Sequence, residues 1–192
     1  MHRARMHGIV LKSLKDFVVD TYDTETWRAI QEAAGVPGKL YVPVSEYTDE
    51  ETLALVSAAS ELSGEDEGDL LYEFGRYAVG PLVETYGVHV DGEWTGLELL
   101  ANTEAYIHQA LRAKQLSEFT PPKLQSKRLG EDAVVVRYGS DRELCKLAEG
   151  IIDGVGEHYG EHYRTDHRSC QLEGDPHCDI VVQRAEEPFA AD

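Results

Sequence analysis

The sequence predicts an α+β fold, with a helical N-terminal subdomain packed on a C-terminal antiparallel sheet into which one helix is inserted. Apolar residues recur at three- and four-residue spacing from Ile9 to about Leu116, the period of helices that bury one face. β-Branched, strand-like stretches begin only after Pro121-Pro122. A last helical pattern, Arg142 to Tyr159, falls between two such stretches.

Taken in order, Ile9 to Tyr22 carries Ile9, Val10, Leu14, Phe17 and Val18 on one helical stripe. Thr24 to Ala34 reads as a second helix, with Thr24 as its N-cap and Trp27 and Ile30 on its buried face. Gly35-Val36-Pro37-Gly38 is a turn. Thr48 followed by Glu51 has the pattern of a capping box and opens a helix to about Leu62, followed by an acidic loop from Ser63 to Gly68. Asp69 to Tyr86 is helical, with a kink or break expected at Pro81. After a loop from Gly87 to Gly96, the stripe Leu97, Leu100, Ile107 and Leu111 marks a helix to about Leu116 that carries His108 beside it. Strand character follows in Lys123 to Lys127, Ala133 to Tyr138, Arg164 to Leu172 and Asp179 to Gln183, with a hairpin signal at Gly130-Glu131-Asp132. Leu144, Leu147, Ile151, Ile152 and Val155 form the apolar face of the inserted helix.

The chain has 192 residues, 42% of them hydrophobic, enough for one domain with a real core. No apolar run approaches a membrane span and no signal peptide opens the sequence, so a cytoplasmic protein is expected. The formal charge of −18 argues against nucleic-acid binding and against adhesion to anionic lipid, both of which need basic patches. It describes a well-solvated surface, or one adapted to a high-salt host. Neither a phosphate-cradling glycine loop nor a nucleophile beside His108 is present, and an enzyme is not expected.

The chemistry concentrates between Asn102 and Arg142. A neutral imidazole such as His108 can be an axial ligand to haem iron, or it can simply salt-bridge Glu104 four residues earlier. Tyr138, Ser140 and Arg142, at spacing two, can project to one side of an extended segment. Two hydroxyls and a guanidinium fork suit a pair of carboxylates. Read singly, Tyr138 is equally an ordinary strand aromatic, Ser140 a helix cap and Arg142 a surface charge.

Met6-His7-Gly8-Ile9-Val10-Leu11, Trp27, the Asn102–His108 helix, Pro121-Pro122 and Tyr138-x-Ser140-x-Arg142 together resemble the H-NOX family. These are haem-nitric oxide/oxygen-binding domains related to the sensor of soluble guanylate cyclase. The likeness runs from Met6 to about Gln183. It implies a single domain over 6–184, with a distal helical subdomain at 6–62, a proximal subdomain at 63–184 and flexible ends at 1–5 and 185–192. Haem b would sit between the subdomains, with His108 as proximal ligand. Tyr138, Ser140 and Arg142 would bind the propionates, and Ile9 and Pro122 would pack on the porphyrin.

Oxygen-binding members carry a distal Tyr where this chain has Leu147, and a supporting polar residue where it has Ala78. The resemblance therefore implies an apolar distal pocket that favours NO and CO over O2, with Tyr77 as a nearby hydroxyl that could alter the picture. By the same analogy, NO weakens the His108–iron bond. A signalling protein in trans then reads the change: a histidine kinase, a diguanylate cyclase or a chemotaxis-type transducer.

A second constellation is independent of haem. Cys145, His167, Cys170 and Cys178 supply three thiolates and an imidazole, a four-ligand set for Zn²⁺, with His177 as the competing imidazole. The set resembles the zinc site of a subset of bacterial H-NOX proteins. An odd cysteine count, three, disfavours a disulfide framework, and buried inert thiols are the plain alternative. A zinc-thiolate redox sensor is thus the rival function, and a haem carrier without signalling a third.

Overall fold

The computed structural model describes residues 5–109 and 122–185. A short strand, β1 (Arg5–His7), pairs antiparallel with β2 (Glu46–Thr48), in the segment that follows the second helix. Helices α1 (Gly8–Thr21), α2 (Thr24–Ala33), α3 (Asp49–Ser63) and α4 (Glu67–Tyr86) form the helical part. The cap of α2 is Asp23, not Thr24: its Oδ1 accepts from Thr26 N–H at 2.7 Å, satisfying one of the orphan donors of the first turn. Thr48 caps α3, but Glu51 completes no box, since its carboxylate is engaged by Lys39 at 2.6 Å and by the Tyr41 hydroxyl at 2.8 Å. The full capping box lies instead at Thr95 and Glu98, at the start of α5 (Gly96–Asn102).

Pro81 does not break α4. Gly80 precedes it, and a residue without Cβ avoids the clash with the proline ring that normally ends a helix.

After α5 the helix widens into a π-helical stretch, Thr103–His108. Asn102 Nδ2 donates to the Glu98 carbonyl at 2.9 Å, and Thr103 Oγ1 donates to the Leu99 carbonyl at 2.7 Å. These side chains compete for the carbonyls of the preceding turn, a local cause for the widening. The rest of the predicted helix to Leu116, with Leu111, and Pro121 lie outside the described residues.

Strands β3 (Lys123–Arg128), β4 (Ala133–Gly139), β5 (His162–Ser169) and β6 (Cys178–Ala185) form an antiparallel sheet in the order β3-β4-β6-β5. Helix α6 (Cys145–Tyr159) is inserted between β4 and β5. It starts three residues later than its periodicity suggests, because the chain first turns through Glu143 at φ 53°. Alternation along β4 and β6 buries Val134, Val136 and Tyr138 against Cys178, Ile180 and Val182, in one core with Leu97, Leu100, Ile152 and Val155. A second core joins Leu11, Leu14 and Phe17 of α1 to Trp27, Ile30, Leu55, Phe74 and Ala78.

Helix α4 contributes to both cores and crosses α6 at backbone contact. A Cβ on Gly150 would lie 2.0 Å from the Tyr72 carbonyl oxygen, and one on Gly75 would lie 2.5 Å from that of Leu147. Only glycine lets these two helices approach so closely. Among the described residues, no helix is long and apolar enough to cross a membrane.

Candidate functional site

Between the two cores lies a cavity with about 1530 Å³ of empty space, its open mouth included. Its walls come from β1 and α1 (His7, Ile9, Val10, Ser13), α4 (Phe74, Ala78, Leu82, Tyr86), the π-helical stretch (Ile107, His108), the sheet (Leu124, Val136, Tyr138) and α6 (Leu147, Ile151). Pro122 and Arg142 complete it. Most of this surface is hydrocarbon, which suits a large flat apolar group carrying a few polar handles.

His108 lines the cavity, and its Nδ1 lies 3.1 Å from Glu104 Oε2. The Glu104 contact weighed from the sequence is therefore present, but on a wall of the cavity, with the imidazole side chain only 14% exposed. If Nδ1 carries the proton toward the carboxylate, the ring is held as the tautomer with its lone pair on Nε2.

Tyr138 and Arg142 also line the cavity, whereas Ser140 is not among its walls. The strand ends at Gly139, so the three residues do not share one extended face. Ser140 Oγ instead accepts from the Arg142 backbone N–H at 3.2 Å, and the Gln171 side-chain amide brackets the Ser140 backbone at 3.2 Å on both its N–H and carbonyl. Serine thus shapes the turn that delivers arginine to the cavity. The Arg142 guanidinium is buried, with Nε 2.8 Å from Asp49 Oδ2 and a terminal N–H donating to the Arg5 carbonyl at 2.9 Å. Burial pushes the Tyr138 hydroxyl up to about 12, so it is a neutral donor at physiological pH.

Ile9, Pro122, Leu147 and Ala78 all line the same cavity. Tyr77 does not: its hydroxyl donates to Asp20 at 2.6 Å on the outside of the helices. Four polar residues of the walls were not singled out from the sequence, His7, Ser13, Tyr86 and Thr103, the last spent on the Leu99 carbonyl. His7 caps α1, accepting from Ile9 N–H at 3.4 Å, and the Tyr86 hydroxyl lies 3.5 Å from the same Nδ1. Burial lowers the His7 pKa, partly offset by Glu46. Ser13 was legible in principle, as the one hydroxyl on the Ile9–Ser13–Phe17 stripe at fourfold spacing.

The cysteines form a separate site. The sulfurs of Cys145, Cys170 and Cys178 all lie within 4.8 Å of one another, with Cys145 and Cys178 at 2.9 Å. All three are free thiols, and burial pushes the Cys145 and Cys178 thiols up. His167 is not brought into this group; its Nε2 lies 3.2 Å from Glu149 Oε1. His177 is directed to Asp179 at 3.6 Å.

These elements match known proteins along nearly the whole chain. The family model for haem-NO-binding (HNOB) domains matches residues 7–167. The fold matches an H-NOX protein from S. oneidensis solved in its Fe(II)NO ligation state, at 24% identity and TM-score 0.87, over 94% of this chain and 100% of that one. An unliganded Fe(II) H-NOX mutant from K. algicida matches at 18% identity and TM-score 0.80, over 97% and 100%. A mutant H-NOX of T. tengcongensis matches at 19% and 0.83, over 96% and 100%. No curated protein matches the sequence. With the family model covering most of its length, the chain belongs to the haem-NO-binding, or H-NOX, family.

Proposed function

We propose that this chain is a haem-based gas sensor that binds NO and CO in preference to O2 and signals to a separate protein. The observation that carries the reading is an imidazole, His108, held at Nδ1 by Glu104, and a guanidinium, Arg142, on the walls of a single largely apolar cavity between the two cores. The cavity's other imidazole, His7, is engaged as the cap of α1. The residues present fit a haem. Arg142 is a buried guanidinium on the cavity wall, ion-paired with Asp49, and a guanidinium supplies the charge and the N–H donors that a propionate needs. The haem iron would supply the site for a diatomic gas.

In this reading His108 is the protein ligand, and Glu104 holds its ring by the far nitrogen, which raises its basicity and fixes its orientation. Arg142 and Tyr138 receive the propionates, with Ser140 setting the arginine's turn. Ile9 and Pro122 pack on the porphyrin. Leu147 and Ala78 offer no hydrogen-bond donor, which favours ligands that need none. Arg142 also ties the turn after β4 to β1 and α3 through Arg5 and Asp49. A displacement at its site therefore reaches the N-terminal elements, a route from the cavity to an outer surface that a partner can read.

The test is a titration of the haem-free protein with haem, followed by quenching of its tryptophans. One haem per chain, with weaker uptake by Arg142→Ala, supports the reading; no saturable uptake overturns it.

A second reading has its own observation. Three thiol sulfurs within 4.8 Å suit a tetrahedral zinc, whose bonds of about 2.3 Å hold sulfurs about 3.8 Å apart. Zinc would reverse the cost of ionising these buried thiols. His167 would complete the set by leaving Glu149. Oxidation of the thiolates would then release the metal, making this a zinc-thiolate redox switch beside the haem site.

A further inference from the structure

The turn that carries Arg142 meets the cysteine cluster at both ends. It runs from Ser140, after β4, to Leu144, before α6, and Arg142 and Leu144 both line the cavity. Its last residue is followed directly by Cys145. At its first residue the Gln171 side chain donates to the Ser140 carbonyl and accepts from the Ser140 N–H, each at 3.2 Å. Gln171 follows Cys170 directly, and its backbone N–H donates to Cys178 Sγ at 3.2 Å. One residue therefore grips the turn with its side chain and a sulfur of the cluster with its backbone.

The turn is the softer side of this arrangement. Within it the Glu143 N–H donates to the Ser140 carbonyl at 3.1 Å, and Glu143 itself stands in the left-handed region at φ 53°. Leu144, at the cap of α6, makes no side-chain capping bond. Cys178 is on the firmer side: it lies on β6, opposite Tyr138 of β4, and β6 is paired along both edges. Cys145 and Cys178 are fully buried, with their sulfurs 2.9 Å apart. A tetrahedral cation would set those sulfurs about 3.8 Å apart. The close-packed sheet resists that change, so Cys145 and the turn before it take it up.

We propose that a thiophilic divalent cation held by Cys145, Cys170 and Cys178 tightens haem binding in the cavity, with Gln171 as the positioning residue that carries the effect to Arg142. Each thiol that binds the cation releases its proton to solvent. The cation then ties Cys145 to Cys170, whose neighbour Gln171 already holds Ser140, so the two ends of the turn are joined through a closed ring of contacts. A turn fixed at both ends presents its guanidinium in one place, and less order remains to be imposed when a propionate arrives. The proposal rests on the haem reading of the cavity and the metal reading of the cluster, and adds a coupling between them. Linkage makes that coupling reciprocal, so haem tightens the cation by the same factor.

The probe is Cd²⁺, whose bonds to thiolates give an ultraviolet charge-transfer band that reports occupancy of the cluster. Haem affinity is measured by tryptophan quenching with the cluster empty and filled, in wild type and in Gln171→Ala. Alanine keeps the backbone N–H on Cys178 and removes only the bracket on Ser140. The expected result in wild type is haem binding tighter by about fivefold or more when Cd²⁺ is bound, and Cd²⁺ binding tighter by the same factor when haem is bound. In Gln171→Ala both factors fall to about one, while the Cd²⁺ band of the haem-free protein is unchanged. Equal or weaker haem binding by Cd²⁺-filled wild type overturns the proposal and leaves both readings standing; this arm needs no variant to fold. Full coupling in Gln171→Ala overturns the part given to Gln171. No saturable haem uptake is instead the failure of the haem reading, and no Cd²⁺ band the failure of the metal reading; the proposal falls with either.

Discussion

Replacing Gly150 with alanine perturbs the crossing that shapes the cavity. The new Cβ would stand 2.0 Å from the Tyr72 carbonyl oxygen and 2.8 Å from its carbon, where ordinary contact begins near 3.4 Å. The obstacle is backbone on both sides, so no side-chain rotation relieves it, and α4 and α6 must part by more than an ångström. Overpacking of this kind costs about 3 kcal/mol. Alanine's better helix propensity returns about 1 kcal/mol, leaving a net loss of about 2 kcal/mol. For a chain of this size that lowers Tm by about 4–8 °C.

Gly87→Ala is the control. Gly87 has helical dihedrals, φ −55° and ψ −23°, and nothing within 4 Å of a built Cβ. Alanine there stabilises by about 0.4–1 kcal/mol through the unfolded chain. Urea denaturation and thermal melting of the pair, on haem-free protein, make the comparison. A Gly150→Ala variant as stable as wild type would refute the argument that this contact sets the distance between the helices. Leu147 and Ile151 flank Gly150, and Phe74 and Ala78 face them from α4. The same substitution should therefore change haem uptake, whereas Gly87→Ala should not.

Two further outcomes follow from the buried polar groups. Burial lowers the His7 pKa below its ordinary 6.5, so on acidification the unfolded chain takes up the proton first. The stability tied to neutral His7 is complete above pH 6.5 and is lost as pH falls through the folded value; His7→Asn, which keeps an acceptor for the α1 cap, should lose less stability than wild type between pH 7.5 and pH 5.5, and parallel losses would contradict this. At the cysteine cluster, protein produced with zinc should carry about one zinc per chain. Cys145→Ser should lose it and peroxide should release it; an unchanged zinc content after peroxide counts against the redox switch.

The order of helices and strands was legible because burial imposes its period on the sequence: the Val134, Val136 and Tyr138 alternation and the Leu97–Leu100 stripe carry their own geometry. The pairing of β1 with β2 was not, since three residues on each side offer no period and their pairing depends on the loop between them. The continuity of α4 through Pro81 was hidden for a similar reason, resting on the preceding glycine more than on the proline. At the site, residue types and spacing made His108, Tyr138 and Arg142 possible and the family resemblance selected them; all three line the cavity. The partners that control them are distant in sequence: Asp49 and the Arg5 carbonyl on Arg142, and Gln171 on Ser140. No local pattern announces such contacts. The three cysteines come together as ligand chemistry suggested, whereas His167 lies against Glu149, a contact between β5 and α6 that depends on how the helix lies on the sheet.

The central claim is that His108 holds a gas-binding haem in the cavity. The most direct measurement is the visible spectrum of the haem-reconstituted, reduced protein before and after NO, CO and air, beside His108→Gly with and without added imidazole. The account predicts a spectrum of imidazole-ligated ferrous haem that changes with NO and CO and holds no stable oxygen complex in air. It also predicts that the imidazole signature is lost in His108→Gly and restored by free imidazole. A His108→Gly spectrum identical to wild type, or a wild-type spectrum indifferent to NO, would contradict it.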